Sequence, residues 1–326
     1  MRYLGRSDQQ ELKLSMEKVL VTGVAGFIGS NVASRFLHEG YAVVGVDDLS
    51  NGHIENIPAG VEFIQGDLTQ SATIDRIPGD CRIILHLAGQ SSGEISFDDP
   101  VADLEKNTVS TLNLIAYGIK NRIDRIVYAS SMSVYGAVPN KPIGEQHACL
   151  PLSGYGVGKY ASEGYLRVYA SKLAFVSLRM FNVYGPGQDM RNLRQGMVSI
   201  YLAQALATGQ IAVKGSIERF RDFVFIDDVV ESWFRAATRP SAVGQTLNIG
   251  TGVKTSVATL LQHVQELVPG SSYFVEGATP GDQSGIFADV SASRDCLGLD
   301  AFVPLHAGLK KFVDWAKSEN LVIPKT

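Results

Sequence analysis

The chain has 326 residues, 45% of them apolar and 19% charged, and its formal net charge is -4. That length and composition suit one large α/β unit, or two coupled lobes with a sizeable core, and exclude a disordered chain. The slightly acidic balance and the lack of a long Lys/Arg run argue against nucleic acid or an anionic membrane surface as the main partner. No run approaches the roughly 18 apolar residues of a membrane span, and the N-terminus lacks the apolar centre of a secretion signal, so a cytoplasmic protein is expected. Cys81, Cys149 and Cys296 are odd in number and far apart, with no Cys-x-x-Cys pair. Neither a disulfide framework nor a metal site is expected.

Met1 to Ser15 are polar and precede the first strand pattern. Residues 1–17 are therefore expected to be an extension, followed by a dinucleotide-binding unit at 18–180 and a smaller lobe at 181–326. Lys18 to Val21 is a continuous apolar run of the kind a buried parallel strand needs, and Phe27 to Glu39 has the length and spacing of a helix. Between them stand Gly23, Gly26 and Gly29. In the dinucleotide fingerprint such glycines allow, in order, the tight turn, the approach of backbone to a pyrophosphate, and close packing of helix on strand. The helix N-terminus then offers free N–H groups to the anion. A second strand, Ala42 to Val46, ends in Asp47. A carboxylate there accepts from the adenosine ribose hydroxyls and repels a 2′-phosphate, which favours NAD over NADP. The competing reading is that Asp47 and Asp48 only cap a strand in a polar turn.

Further strand patterns at Val61 to Gln65, Arg82 to Leu87, Arg125 to Ala129 and Phe175 to Arg179 alternate with helical ones. This is the spacing of parallel crossovers, so a doubly wound sheet is expected. After the third strand, Asp67 and Leu68 can hold the two faces of an adenine, or Asp67 can be a simple loop carboxylate. The fourth strand runs into Leu87, Ala88, Gly89 and Gln90 at the carboxyl edge of the sheet, where such folds bind ligands. The helix predicted over Val101 to Lys120 carries Leu104, Thr108, Leu112, Ile115 and Ile119 on one stripe, suited to core or to a subunit interface. Asn107 interrupts its apolar pattern and can reach the cofactor. Past Arg179 shorter helices and strands imply a second α/β lobe that closes a cleft over the nicotinamide end.

The residues that carry chemistry follow the fifth strand. Ser130 and Ser131 precede Val134-Tyr135-Gly136, and Tyr155 and Lys159 stand four apart, on one face of a helix. An ammonium beside a phenol lowers its pKa, so Tyr155 is expected to take a proton from a substrate hydroxyl while hydride leaves the same carbon. Lys159 can also donate to the nicotinamide ribose, and the Ser131 hydroxyl can share the proton.

With these motifs in order, the chain resembles the extended short-chain dehydrogenase/reductase family, in its NAD-dependent nucleotide-sugar epimerase/dehydratase branch. The resemblance runs from about Lys18 to Lys317. It rests on the Thr22 to Gly29 turn, Asp47, Gly66-Asp67-Leu68, His86-Leu-Ala, Asn107, Ser131, Tyr155-x-x-x-Lys159, Phe181-Asn182, Arg221-Asp-Phe223 and Gly281-Asp282. It implies a Rossmann-type sheet with a smaller C-terminal substrate lobe, and NAD in contact also with Phe27, Ile28, Asn51, Gly52 and Ser130. It further implies a nucleoside diphosphate sugar as substrate and a homodimer paired through helices Val101 to Lys120 and Val157 to Val168. Asn182 and Arg221 match diphosphate-holding positions, Asp282 a nucleoside-binding carboxylate, and Ser133 and Phe181 the sugar pocket. Ile286 matches a wall against the C2 substituent of the sugar. Family members often carry an arginine where this chain has Thr279, so phosphate grip is expected elsewhere, with Arg191, Arg194 and Arg219 as candidates.

Dehydratases and decarboxylases of this branch typically place a Glu two residues before the Tyr of Val-Tyr-Gly, often after an Asp, because elimination needs its own acid and base. Here those positions are Ser133 and Met132. C4 epimerisation of a UDP-hexose is therefore favoured. The alternatives are a nucleotide-sugar keto-reductase, dehydrogenase or 4,6-dehydratase, and, outside catalysis, a dinucleotide sensor or RNA-binding member.

Overall fold

The computed structural model describes residues 17–194, 196–277 and 284–319. Seven parallel strands form the central sheet: β1 (Lys18–Thr22), β2 (Ala42–Asp47), β3 (Glu62–Gln65), β4 (Ile83–His86), β5 (Arg125–Ser131), β6 (Ala174–Met180) and β11 (Thr246–Ile249). Their spatial order is β11-β6-β5-β4-β1-β2-β3. The chain winds from β1 outward to β3, then returns across β1 to β4, so the crossovers diverge between β1 and β4. The expected Rossmann-type doubly wound sheet is present, and its crevice opens where such folds bind dinucleotides.

The strands are apolar on both faces because helices cover both. One layer buries Val19, Val21, Phe36, Leu85, Val176 and Trp233 under α1 (Phe27–His38) and the later helix Ile226–Thr238. The opposite layer buries Leu20, Val44, Ile84, Leu114, Ile126 and Tyr128. There the single helix expected over Val101 to Lys120 is three segments. After the short α2 (Ser71–Ile74), α3 (Pro100–Leu104) runs into a π-helical turn at Glu105–Val109 and then into α4 (Ser110–Lys120). The stripe divides accordingly. Thr108 and Ile115 are buried, Leu112 and Ile119 are half-buried, and Leu104 faces outward.

Beyond β5 come α5 (Gly154–Val168), β7 (Asn182–Tyr184), α6 (Met197–Thr208), β8 (Gln210–Lys214), β9 (Phe220–Arg221), β10 (Phe223–Phe225) and α7 (Ile226–Thr238). The chain ends in β12 (Thr255–Ser256), α8 (Val257–Leu267), β13 (Ser272–Glu276), α9 (Ser291–Leu297) and α10 (Leu305–Ser318). A second core gathers Tyr184, Tyr201, Leu202, Ile211, Phe225, Leu260 and Phe312. β11 and α7 return from this part of the chain to the large sheet, β11 pairing with β6 from Thr246↔Ser177 to Ile249↔Met180. Among the described residues no helix is long and apolar enough to cross a membrane.

Candidate functional site

A cleft of about 440 Å³ opens at the carboxyl ends of β1 and β4. Gly23 takes φ +69°, and a Cβ on it would stand 2.8 Å from the Ala88 nitrogen. A Cβ on Gly29 would fall 1.9 Å from the Gly23 carbonyl oxygen. These two glycines are therefore required by the turn and by helix packing, whereas Gly26, whose Cβ would meet only the Gly23 oxygen at 3.3 Å, leaves its backbone open to the cleft. The turn is pinned from β2. Asp47 accepts from the Ala25 N–H at 2.9 Å and from the Leu49 N–H at 2.8 Å, one on each carboxylate oxygen. Burial raises the Asp47 pKa, and these two N–H donors oppose the rise. Each oxygen keeps a second lone pair for a ribose hydroxyl.

Phe27, Ile28, Asn51, Gly52, Asp67 and Leu68 line the same cleft, as do Leu87, Ala88, Gly89, Gln90 and Ser130. The Leu87 and Ala88 N–H groups both donate to the Thr22 hydroxyl, at 3.2 and 3.1 Å, which draws the end of β4 against β1. Below them His86 lies between Thr22 and Thr111, its pKa driven down to about 3 by complete burial. It serves as a neutral strut.

The chemical end is assembled by three close approaches. Ser131 ends β5 and accepts from the Ser133 N–H at 3.2 Å, fixing a tight turn. Ser153 caps α5, and a Cβ on Gly156 would stand 2.6 Å from the Ser133 oxygen. Glycine at 156 thus lets the first turn of α5 carry Tyr155 to the Ser131 hydroxyl. One turn on, Lys159 is buried, its ammonium 5.6 Å from the Tyr155 ring centre and 5.2 Å from that of Tyr128. Gly158 allows α5 to approach the π-helical turn, where its Cβ would meet Asn107 at 3.2 Å.

Asn107 was expected to reach the cofactor; the side chains that hold it beside Gly89 were not foreseen. Its amide donates to Asp103 at 3.1 Å, and the Gln90 amide donates to the same carboxylate oxygen at 2.8 Å. Asn107 Oδ1 is buried without a hydrogen-bond partner among the described residues, and a Cβ on Gly89 would lie 2.5 Å from it and 3.3 Å from the Lys159 nitrogen. An orphaned acceptor next to an ammonium, above a cradle that a Cβ would fill, fits a polar ligand seated there. The glycine turn and Asp47 fit the other end of a dinucleotide.

The expectation that Lys159 would draw the Tyr155 phenol toward neutrality needs correction. Burial holds that phenol above its ordinary value; the Ser131 hydrogen bond opposes this, and Asp103 adds to it. Lys159 is itself pulled down to about 8 by burial, with Asp103 opposing. The buried ammonium and the half-buried phenol each resist carrying charge, and Lys159, 5.6 Å from the Tyr155 ring centre, does not outweigh desolvation.

Ser133, Phe181 and Asn182 line the cleft. The Asn182 amide donates to the Asp222 carbonyl at 3.1 Å. Arg221 is buried and donates to the Phe220 carbonyl at 2.8 Å; burial, and then Arg219, bring its pKa to about 10. Arg221 and Ile286 are not among the described residues on the cleft surface. Ile286 is buried in an apolar cluster with Val134, Tyr135 and Phe181, of which Phe181 lines the cleft. Thr279, Gly281 and Asp282 lie outside the described residues. Of the candidate phosphate arginines, Arg191 pairs with Asp189 at 2.9 Å, Arg194 with Asp98 at 3.0 Å, and Arg219 donates to the Ser216 carbonyl at 2.9 Å.

Arg191 and Arg194 were named as phosphate candidates, but that the chain around them lines the cleft was not foreseen. Gly187, Asp189, Asn192 and Gly196 line the cleft, and this stretch is tied to both rims, since Asp189 also meets His53 at 3.2 Å while Arg194 reaches Asp98 before α3. The glycines at its two ends, Gly187 and Gly196, each at φ +88°, were the available signal. Among the described cleft residues the carboxylates are Asp47, Asp48, Asp67 and Asp189. The turn Ser131 to Ser133 holds none.

Residues 19–250 match the sequence profile of the NAD dependent epimerase/dehydratase family. A UDP-glucose 4-epimerase from Mycolicibacterium smegmatis is 36% identical over 315 residues, which cover 93% of this chain and 99% of that protein. The crystal structure of a UDP-glucose 4-epimerase with UDP-glucose from Thermotoga maritima matches with a TM-score of 0.89 at 32% identity, covering 93% of this chain and 100% of that one. That of the Thermus thermophilus UDP-glucose 4-epimerase complex with NAD gives 0.85 at 32% identity, covering 92% and 99%. With the glycine cradle, Asp47 and the Ser131, Tyr155 and Lys159 cluster all at one crevice, this chain belongs to the NAD-dependent epimerase/dehydratase family.

Proposed function

We propose that the protein interconverts the C4 epimers of a nucleoside diphosphate hexose, UDP-glucose and UDP-galactose foremost, with NAD in the cleft. The observation that carries this reading is the convergence of Ser131, Tyr155 and Lys159 beside a dinucleotide cradle, on a turn where Met132 and Ser133 stand in place of eliminating carboxylates. The relative and the two structures described above, which match over more than nine-tenths of both chains, are named as UDP-glucose 4-epimerases.

NAD, when bound, supplies a reversible two-electron oxidation of the substrate carbon. The chain's own residues manage the proton and the orientation. Tyr155 Oη, in its phenolate form, takes the proton of the C4 hydroxyl and returns it to the same oxygen when hydrogen is restored to the opposite face of C4, and Ser131 Oγ, hydrogen-bonded to Tyr155, shares that proton. Lys159 keeps a positive charge near the Tyr155 ring, which favours the phenolate that must accept the proton. Asn182 and Arg221 are proposed to hold the diphosphate, Asp282 the nucleoside, and Asp47 with Asn107 the dinucleotide. Ile286 would set tolerance at C2 indirectly, through Phe181. An exposed apolar face of Phe97, Val101, Leu104, Val157 and Val168 supports a homodimer. The three separate thiols fit the reducing cytoplasm as its compartment.

The test is incubation of pure protein with UDP-galactose and no added cofactor, followed by separation of the sugar nucleotides. UDP-glucose accumulating to an equilibrium ratio supports the reading; a dehydrated or net oxidised sugar, or no turnover with NAD supplied, overturns it.

A further inference from the structure

We propose that His263, Glu266 and His306 form a site for one divalent transition-metal ion of the zinc type, which clamps α8 to α10 on the outer side of the second core. His263 and Glu266 stand three apart, near the end of α8, and so share a helical face. His306 is in the first turn of α10, which is brought alongside α8 by Leu260, Leu309 and Phe312 in the core between them. One ligand atom from each of the three side chains lies within 4.8 Å of the other two.

The carboxylate is already central. Glu266 Oε2 lies 3.2 Å from His263 Nδ1 and 3.8 Å from His306 Nε2, and the two imidazole rings meet edge to face with centres 5.3 Å apart. Its other oxygen accepts from the Gln262 amide at 3.0 Å, which fixes the carboxylate plane so that Oε2 faces the imidazoles. A ligated carboxylate usually has such an outer partner. An ion bonded at about 2.0–2.2 Å to each group wants its ligand atoms a little over 3 Å apart. Rotations of exposed side chains supply the difference without moving either helix. Two imidazole nitrogens and one carboxylate oxygen suit zinc, nickel or copper, whereas magnesium and calcium prefer an all-oxygen shell. All three side chains are partly solvent-exposed, so water can complete the coordination.

None of the three lines the dinucleotide cleft, so the site is independent of the reaction. Its mechanical position is defined nonetheless. The start of α8 is tied to the turn that leads into β9, through the Val257 N–H to the Arg219 carbonyl at 2.8 Å and the Ala258 N–H to the Ile217 carbonyl at 3.0 Å. An ion at the far end of α8 would fix that helix at both ends and raise the melting temperature of the whole chain by mass action.

The experiment uses the full, untagged chain, treated with chelator and titrated with zinc chloride by calorimetry and thermal melting, and with cobalt chloride by visible absorption. Expected are saturable uptake of one ion per chain, a rise in Tm of a few degrees, and cobalt bands of a nitrogen and oxygen site without thiolate charge transfer. His306→Ala and Glu266→Gln, both exposed changes, should weaken uptake by at least about tenfold and abolish the rise in Tm, and Gln262→Ala should weaken it by about tenfold. Magnesium chloride should do nothing. No uptake in the wild type, uptake unchanged in His306→Ala, or a thiolate signature lost in a Cys149→Ser, Cys296→Ser variant would overturn the proposal. In that case the triad is a surface ion pair.

Discussion

At the scale of single residues, proton handling rests on groups that burial pushes away from charge. Tyr155→Phe removes the phenolic oxygen while keeping the ring, so fold and bound dinucleotide should persist while turnover falls about 10²–10⁴-fold. Near-normal turnover measured for that variant would remove Tyr155 from the mechanism. Lys159 is held at about 8, well under its ordinary 10.5, with desolvation the main cause. A step that needs its positive charge should therefore decline as pH rises through about 8. Asp103 raises Lys159 and Tyr155 alike, so Asp103→Asn should move both limbs of the kcat/KM profile to lower pH. A profile lowered in height but unmoved along the pH axis would mean that Asp103 only orients Asn107. The sign for stability runs oppositely to that of a stabilised charge. Because the folded pKa of Lys159 is depressed, the unfolded chain binds more protons between about 8 and 10.5, and this group's contribution to stability rises with pH across that window.

At the scale of elements, what matters is how α5 is held. Glu163, one turn beyond Lys159, is buried and receives a two-pronged pair from Arg179 on β6, at 2.9 and 2.7 Å, together with the Ser130 hydroxyl at 2.5 Å. The same guanidinium donates to the Tyr135 hydroxyl at 3.0 Å, and Tyr135 donates to Asn248 on β11 at 2.6 Å. α5, β5, β6 and β11 are thus locked by one polar network directly behind Ser131. Burying charge rarely adds stability over an apolar pair, but removing one partner strands the other. Glu163→Ala should accordingly cost about 3–5 kcal/mol in denaturant unfolding. A loss under about 1 kcal/mol would mean that Arg179 finds a new partner or water. The π-helical turn belongs to this scale too. One extra residue in the turn places Asn107 and Thr108 both against α5, with the Ser162 hydroxyl donating to the Asn107 carbonyl at 2.9 Å and that of Thr108 to the Gly158 carbonyl at 3.2 Å.

At the scale of the whole molecule, one outer face remains apolar. Phe97 and Val101 are 61% and 64% exposed, and Val157 and Val168 on α5 are 51% and 74% exposed. Pairing of this face with its symmetry mate would bury them and would also brace the back of α5. Light scattering at micromolar concentration should give twice the chain mass, and Val101→Arg with Val157→Arg should give the monomer. A wild-type monomer would refute the dimer. Such a monomer would also leave a patch of this size exposed in solution, a recognised aggregation hazard.

The sequence by itself determined what is local. The glycine turn, Asp47 at the end of its strand, the alternation that gives a parallel sheet, and the Tyr155 to Lys159 spacing are all readable because each is enforced over a few residues by backbone sterics or helical periodicity. Only the tertiary structure decided the rest. Asp103 and Gln90 meet because the π-helical turn faces the end of β4, and Asp189 reaches the cleft lining because it meets His53 across 136 residues. Arg35 and Glu231, 196 residues apart at 2.6 Å, join α1 to α7 in the same way. Such pairs leave no periodic trace in the chain. They become neighbours only when apolar burial has folded distant elements together, and that same burial, not spacing, sets the charge state of Tyr155 and Lys159.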